Sequence, residues 1–422
     1  MKKKRILALV LGLFMLTVPL LGCQTATQDD PAKDGALVRP GEVLADVAYE
    51  DIPESLRLAL WTFAGKTSGP ALADINKNTL YSPVSLYYAL AMLEAGAAGE
   101  TKTQLRAFLE AGGEDPGPAL QALYALMTKE GEYNTEQIAN ALWIREDLVK
   151  EGEGGVKQSF LDSMSKYFYA SAFAVDFQKE ETPAIMSRWV EEETRGKIKP
   201  EIDTSDPTLL MILMNTLYFK DGWVEPFGED EKSLGPFFAK NKTVDDVSYL
   251  TRSHTLLPLY KNDRYKAVSL ALSSGQMTFV LPNEGLTPEE LLKDTDFLPG
   301  LWTQYGETAR VDLKIPVFEY KSKTDILEAL ESLGLADIVQ DAPDFSAMMD
   351  RGASVSHISQ EAFIALDEKG VEAAAYTEIG MVESAPQVPD EVQVFHLDRP
   401  FIFVISDQAG VPLFVGTIRN PK

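Results

Sequence analysis

The order of the hydrophobic periodicities along the chain limits its fold more than any other feature of the sequence. Helical periodicity dominates the first half of the 422 residues, whereas runs typical of β-strands dominate the second half. A regular alternation of strands and helices would instead predict a parallel α/β sheet. The pattern predicts helices at 55–65, 82–96, 101–111, 118–128, 156–169, 183–194 and 322–333. The fold class is therefore predicted to be α+β.

Two of the predicted strands contain a continuous apolar run instead of a clean alternation of apolar and polar residues. Residues 209–214 are apolar without interruption, which is typical of a strand that is buried on both faces. We find no domain boundary beyond the first 50 residues, so one large domain is predicted for residues 51–422. The predicted strands are 208–220, 267–270, 277–281, 311–320, 357–367, 401–405 and 413–418.

The first 50 residues are predicted to lie outside this domain. Four basic residues at positions 2–5 precede an apolar run at 6–21, which is typical of a secretory signal. Cys23, the single cysteine of the chain, follows this run. The segment resembles a bacterial lipobox, although Leu21 is a less usual residue there, and the resemblance implies lipidation of Cys23. Residues 1–22 are thus predicted to be a signal peptide and residues 23–50 a lipidated, flexible tether. An uncleaved anchor and a plain signal are the alternatives.

Composition excludes several functions and locations. With its only cysteine at position 23, the domain can form no disulfide and offers no thiol nucleophile. The formal net charge is −25, and it becomes about −29 once the four basic residues of the signal are removed. Such a charge disfavours nucleic acid, and no basic helix suggests a heparin-type site. We expect a secreted monomer that contacts the membrane of a bacterium through its lipid.

Catalytic motifs are missing from the sequence. A Ser-His-Asp site needs a histidine beside an activated serine, and the chain has only His254, His357 and His396, with no Gly-x-Ser-x-Gly motif. There is also no His-Glu-x-x-His and no phosphate-binding glycine loop. We therefore predict no catalytic residues, no metal and no cofactor.

The segment that follows the strand at 357–367 carries the function in our interpretation. About 25 residues separate that strand from the next one at 392–395, and a connection of this length is usually functional or disordered. Side chains alternate along it, and one face is small and uncharged. This pattern favours a potential strand, although an alanine-rich helix is an alternative. The uncharged face consists of Val371, Ala373, Ala375, Thr377, Ile379 and Met381.

From about residue 51 to the C-terminus the sequence resembles the serpin family of serine protease inhibitors. The resemblance rests on NTLYSPVS at 78–85, NTLYFKDGW at 215–223, IPVF at 315–318, LGL at 333–335, DFS at 344–346, EKG at 368–370, EAAA at 372–375, RPF at 399–401 and FVG at 414–416. It implies three β-sheets, eight to nine helices and an exposed reactive-centre loop at about 369–391. A target protease would cleave this loop, and the loop would then insert as a new strand into the large sheet and trap the acyl-enzyme.

The resemblance also implies roles for individual residues. The hinge and inserting face would be Glu368, Gly370, Val371, Ala373, Ala375 and Thr377. Family spacing places the cleaved bond between Ser384 and Ala385, with Val382 and Glu383 as alternatives. These residues suit an elastase- or subtilisin-like serine protease, and a cysteine protease is a second option. A polar cluster that controls opening of the sheet would comprise Ser82, Ser85, Asn215 and Gln360, where Gln360 replaces the histidine that is usual in the family, and Trp223 would lie at the top of the sheet.

Two other functions are compatible with the sequence. The chain could be a non-inhibitory serpin that acts as a binding or chaperone-like surface lipoprotein. A hydrolase-like surface enzyme is the third hypothesis, and the missing nucleophile motifs count against it.

Overall fold

The computed structural model describes residues 35–112, 115–128, 134–149, 155–304, 306–372 and 391–422. Several predictions fall outside these ranges and are not tested by the structure. They concern the signal peptide, Cys23, Ala373, Ala375, Thr377, Val382, Glu383, Ser384 and Ala385.

Six of the seven predicted helices are confirmed within the described residues. Ser82 caps the second of them: its side chain accepts a hydrogen bond from the amide of Ser85, and Pro83 occupies the first helical position. Four further helices are short. The helices are α1 (Glu54–Ala71), α2 (Pro83–Gly96), α3 (Gly99–Phe108), α4 (Gly117–Met127), α5 (Gln158–Tyr167), α6 (Thr182–Glu193), α7 (Pro288–Leu292), α8 (Phe297–Thr303), α9 (Ile326–Ala329) and α10 (Leu335–Gln340).

The helix predicted at 322–333 is largely wrong. Strand β11 (Phe318–Asp325) occupies its first part, and the α-helical part is the single turn α9. The strand lies against β12 (Ser359–Leu366) from Phe318 opposite Leu366 to Asp325 opposite Ser359. Along β11 buried and partly buried residues alternate with exposed ones, so the sheet imposes a period of two on a sequence that also satisfies a helical period. Asp325 then caps the short helix by accepting from the amide of Glu328.

The sheet that carries the functional site has seven strands. Their order is β1-β4-β3-β5-β13-β12-β11, in which β1 is Ala36–Val38, β3 is Thr135–Arg145, β4 is Ala170–Val175, β5 is Met211–Gly222 and β13 is Gly370–Val371. Strands β3 and β4 were not predicted, because polar residues interrupt the apolar pattern of β3, and because β4 is short and half of its six residues are alanine, which does not favour strands.

The predicted flexible tether needs correction at its C-terminal end. Strand β1 pairs with β4, and the amide of Gly41 donates to the carbonyl of Ser165 over 3.0 Å. The amide of Leu44 donates to the hydroxyl of Tyr169 over 3.1 Å. Residues 35–44 therefore belong to the folded part, since strand pairing and hydrogen bonds hold them at the edge of the seven-stranded sheet.

The remaining strands join into a second sheet. Its order is β14-β10-β7-β8-β9-β15-β16-β2, and β6 pairs with β7. The 20-residue strand β7 pairs with β6 and β10 along most of its length and with β8 at its last residues. Because β7 links the two groups of strands, the third sheet that we expected is not separate here. The strands are β2 (Thr79–Tyr81), β6 (Lys232–Ala239), β7 (Lys242–Lys261), β8 (Tyr265–Leu272), β9 (Gly275–Pro282), β10 (Glu307–Pro316), β14 (Val392–His396), β15 (Phe401–Asp407) and β16 (Pro412–Ile418).

The main hydrophobic core lies between the two sheets and around α2. Nearly every residue of α2 is buried, including Tyr87, Tyr88 and Met92. The helix contacts both β5 of the first sheet and β16 of the second. A helix that is apolar all round is expected in such a buried position. None of the helices in the described ranges has the length and apolar content needed to span a membrane.

Candidate functional site

A gap in the seven-stranded sheet forms the candidate site. Strands β5 and β12 flank it, and in the described sheet they are joined through the two residues of β13. Gly370 lies opposite Gly222 and Val371 opposite Asp221 on one side, while Val371 lies opposite Leu366 on the other. Val371 is buried. The chain thus enters the sheet at Gly370 and fills the first two positions of the gap, which we call the hinge end.

Gly370 is required by a close approach of two backbones. A Cβ atom at this position would lie 2.2 Å from the carbonyl oxygen of Asp221 and 2.8 Å from the Cα of Gly222. Its φ of +153° also lies in a region that residues with a side chain rarely adopt. Any other residue would push the hinge away from β5.

A tight turn delivers the chain to the hinge. The carboxylate of Asp367 accepts from the amides of Lys369 (2.8 Å) and Gly370 (3.2 Å), and the amide of Asp367 donates to the carbonyl of Gly370. The indole of Trp223 donates to the carbonyl of Asp367 over 3.0 Å, and its amide donates to the carbonyl of Lys369 over 2.9 Å. Trp223 is therefore buried at the end of β5, where it holds the turn in place.

Glu368 is also fixed, through both its backbone and its side chain. Its carbonyl accepts from the amide of Phe227 over 2.8 Å, and its carboxylate lies 3.4 Å from the Nζ of Lys232. A hydrogen bond from its own backbone amide, and then the ammonium group of Lys232, lower the pKa of Glu368 below its usual value.

The residue after β13 makes a polar contact across the gap. Glu372 has a φ of 49°, an unusual value for a residue with a side chain. Its carboxylate lies 3.0 Å from the Nζ of Lys197, beyond α6, and accepts from the hydroxyl of Tyr218 on β5 over 3.0 Å. Burial, followed by the hydrogen bond to Glu372, raises the pKa of Tyr218 to about 12. We call Glu372, Lys197 and Tyr218 the latch.

The predicted polar cluster lies at the other end of the gap, where it divides into two pairs. Gln360 on β12 binds the backbone of Ser82 twice: its Oε1 accepts from the amide (2.6 Å), and its Nε2 donates to the carbonyl (3.1 Å). On β5, Asn215 accepts from the hydroxyl of Ser85, and its amide donates to Asn140 over 2.6 Å. The start of α2 thus holds β5 and β12 separately, and we call this the cluster end.

A small cavity lies in the gap next to the hinge end. Its volume is about 10 Å³, which is room for about one water. Phe219 on β5, Ile364 on β12 and Val371 on β13 line it, and Ile405 and Phe414 of the second sheet lie beneath it. The lining is almost entirely apolar, so the cavity suits a small uncharged side chain.

Sequence reasoning missed five residues of this site: Asp221, Asp367, Lys197, Tyr218 and Asn140. A signal existed for Asp367, which is an acidic residue directly after an apolar strand run, whereas Lys220 separates Asp221 from its run. Lys197 lies far from the hinge in sequence, so only the packing of the segment after α6 reveals its contact. The three histidines are dispersed, on β7, before β12 and on β14. Within the described ranges, no three His, Cys, Asp or Glu residues are arranged to hold a metal ion.

Comparison with known proteins identifies the family. The model of the family described as "Serpin (serine protease inhibitor)" matches residues 68–421. The chain belongs to the serpin family. Serpins are in general protease inhibitors rather than enzymes.

Curated relatives of this serpin come from distant organisms. It is 30% identical over 393 residues to Serpin-Z1B of Triticum aestivum, covering 88% of this chain and 96% of the relative. It is 28% identical over 361 residues to an uncharacterised serpin-like protein of Thermococcus kodakarensis, covering 83% and 82% of the two chains.

Solved serpin structures share the fold. The native thermophilic serpin tengpin superposes with a TM-score of 0.73 at 24% identity, covering 91% of this chain and 97% of tengpin. Human thyroxine-binding globulin in complex with thyroxine gives a TM-score of 0.74 at 23% identity, covering 88% and 100%. The predicted α+β serpin fold is therefore confirmed.

Proposed function

We propose that this serpin is a single-use inhibitor of serine proteases with elastase- or subtilisin-like specificity. The protease would cleave the loop after Ser384, and the freed segment would enter the gap between β5 and β12 while still bound to the protease as an acyl-enzyme. The observation that carries the proposal is the hinge end, where Gly370 and Val371 already lie between these two strands.

The observed register supports insertion of the following residues. In an antiparallel pair, one step forward on one strand is one step back on the other. Counting on from Val371 opposite Asp221, Ala373 would lie opposite Phe219, Ala375 opposite Leu217 and Thr377 opposite Asn215. The same count on β12, from Val371 opposite Leu366, brings Thr377 opposite Gln360. The β5 strand is long enough to pair with residues 370–381.

The side chains that would point inward fit what lies beneath them. Ala373 would enter the cavity between Phe219 and Ile364, and its methyl group suits that small volume. Thr377 would meet Asn215 and Gln360, where its hydroxyl can both donate and accept. The hinge end thus offers an apolar pocket to alanine, and the cluster end offers polar partners to threonine.

The energy of insertion is sensitive to charge on this inward face. Each inserted residue can gain up to two ladder hydrogen bonds, at roughly 0.5–1.5 kcal/mol per bond, while ordering it costs roughly 1–2 kcal/mol. The net gain of the strand is therefore modest, and one buried, unpaired charge costs several kcal/mol, about as much as the strand gains.

A matched pair of variants tests the proposal with elastase- and subtilisin-type proteases. The unmodified protein should give a denaturant-resistant complex whose mass is the sum of serpin and protease. Ala373→Glu should abolish this complex and turn the protein into a cleaved substrate, because the carboxylate would enter the apolar cavity. Ala374→Glu, on the outer face, should retain the complex.

Two results would contradict inhibition. Nicking of the unmodified loop without loss of protease activity would favour a non-inhibitory binding protein, a possibility that the fold permits because thyroxine-binding globulin shares it. Turnover of a substrate without any partner protein would favour the enzyme hypothesis.

Mass spectrometry of the released C-terminal peptide would locate the cleaved bond among Val382, Glu383, Ser384 and Ala385.

We also propose that Cys23 carries a lipid that attaches the protein to the bacterial membrane or cell surface. The support is the basic and apolar start of the sequence and the position of the single cysteine. Cys23→Ser should move the protein from the membrane fraction to the medium if the proposal holds, whereas an unchanged distribution would contradict it.

A further inference from the structure

Three buried carboxyl groups lie beneath the hinge end and take no part in the proposed insertion. Glu136 on β3, Asp221 on β5 and Asp407 at the end of β15 are each at most 5% exposed. Carboxyl groups are rarely buried to this extent unless they are paired. We call these three residues the acid cluster.

Strand register brings the cluster together. Glu136 lies opposite Phe219, two residues from Asp221, so Glu136 and Asp221 are diagonal neighbours on the inner face of the first sheet. Asp407 lies opposite Gly275 in the second sheet. The residue before Gly275, Ser274, donates to Asp221 from both its amide and its hydroxyl over 2.8 Å. The acid cluster therefore spans the space between the two sheets.

The three carboxyl groups differ in their partners. Asp221 accepts the two hydrogen bonds from Ser274 and a third from the amide of Ser273 over 3.1 Å. Asp407 accepts through Oδ1 from the amide of Val411 over 3.0 Å, but its Oδ2 has no partner. The Oε1 of Glu136 is also buried without a partner. A buried oxygen without a donor is poorly suited to carry negative charge.

Two other titratable groups face the cluster from the neighbouring helices. Arg57 on α1 donates through Nε to the carbonyl of Ala409 over 2.7 Å, and its charge favours ionised Asp407. Tyr88 on α2 stays neutral, since burial raises its pKa far above the usual value. Burial outweighs the hydrogen bonds and Arg57, and it raises the pKa of Asp407 to about 7. Burial and then the charges of Asp407 and Asp221 raise the pKa of Glu136 well above its usual value.

We propose that the acid cluster is a pH-sensitive element whose ionisation weakens the folded protein as the medium changes from mildly acidic to mildly alkaline. In the unfolded chain these carboxyl groups release their protons near pH 4, about the usual value. In the folded protein Glu136 and Asp407 hold theirs to higher pH. Stability must then fall as pH rises above about 4, and each contribution is lost once pH passes the folded-state pKa of its group, which is about 7 for Asp407.

The first test follows thermal unfolding at one fixed scan rate between about pH 5 and about pH 8. The midpoint of the unmodified protein should fall by at least about 3 °C over this range. Glu136→Gln and Asp407→Asn should each reduce that fall, since neither amide can ionise. Glu201→Gln, which removes an exposed carboxyl group, should keep the full slope. Equal slopes in all four proteins would overturn the proposal.

The second test needs no variant, so it tests the role of the acid cluster even if the variants do not fold. Calorimetric unfolding in buffers of different ionisation enthalpy counts the protons exchanged. At about pH 7.5 we expect a net release of up to about one proton on unfolding, most of it from Glu136, because Asp407 with its pKa of about 7 is already largely ionised. His396 contributes little at this pH, because burial lowers its pKa and its uptake of a proton is confined to lower pH. The absence of any release would overturn the proposal.

Discussion

The two ends of the gap between β5 and β12 are built in opposite ways. At the hinge end, a segment of the chain itself lies between the strands, with Val371 paired to both. At the cluster end, the start of α2 holds Asn215 on β5 and Gln360 on β12 through separate hydrogen bonds. One end has therefore already received a strand, and the other keeps its two strands apart with polar side chains that a new strand would meet.

This difference indicates where each kind of substitution acts. Steric changes matter most at the hinge end, because two backbones approach each other there without room for a Cβ. Changes in hydrogen bonding matter most at the cluster end, because buried polar groups lose their partners there.

Gly370→Val should have the largest effect. The added side chain overlaps the carbonyl of Asp221, and overpacking of this kind costs at least about 1–3 kcal/mol. We expect at least about a tenfold lower yield of trapped protease, measured as denaturant-resistant complex. Gly352→Val is the control, since its Cβ would meet nothing within 4 Å. Equal yields for the two variants would show that the hinge end does not need its glycine.

Gln360→Leu should have an intermediate effect at the cluster end. It leaves the buried amide of Ser82 without its partner, at a cost of about 1–3 kcal/mol, while the carbonyl of Ser82 keeps its hydrogen bond from the amide of Leu86. We expect a lower thermal midpoint of the intact protein, measured by circular dichroism. Gln340→Leu on the exposed end of α10 serves as the control. If the two variants unfold alike, the hydrogen bonds to Ser82 do not stabilise this end of the gap.

Lys197→Met should have the smallest effect, because it removes the ion pair of the latch and one contact of the ammonium group with the ring of Phe363, 4.9 Å from the ring centre. The Lys197 side chain is 37% exposed, so solvent screens the pair and its contribution is at most about 1 kcal/mol. A double-mutant cycle with Glu372→Gln should give a small coupling energy that disappears at about 1 M salt. Lys199→Met, which removes the pair with Glu191, is the control and should show no coupling to Glu372. A coupling that persists in salt would contradict this account of the latch.

The sequence predicted secondary structure correctly where the residues of a single segment determine it. Residues 82–96 form the predicted helix because Ser82 and Pro83 mark its start and its apolar content suits a buried position. The strand predicted at 208–220 is present as β5, but it begins at Met211, and residues 209–214 are only partly buried, so the expected burial of this run on both faces is wrong. In contrast, β7 was missed because only four of its 20 residues are buried and its polar residues follow no regular alternation. The prediction at 322–333 failed because pairing with β12 decides that segment.

The site was predictable in part for the same reason. Resemblance to serpins named Ser82, Ser85, Asn215 and Gln360, and the structure brings them together at the cluster end. It did not indicate that they form two pairs on opposite strands, because that depends on how far β5 and β12 are separated. The contact of Lys197 with Glu372 depends on tertiary packing over 175 positions of sequence and could not be anticipated from local patterns.

Thermal unfolding before and after cleavage tests the proposed mechanism most directly. The loop is cut with a catalytic amount of protease, and the cleaved protein is purified without dissociating its two fragments. If the severed segment takes its place beside β5, the cleaved protein should resist heating to a temperature far above the midpoint of the intact one. If both forms unfold at the same temperature, no strand has been added to the sheet, and inhibition by insertion is contradicted.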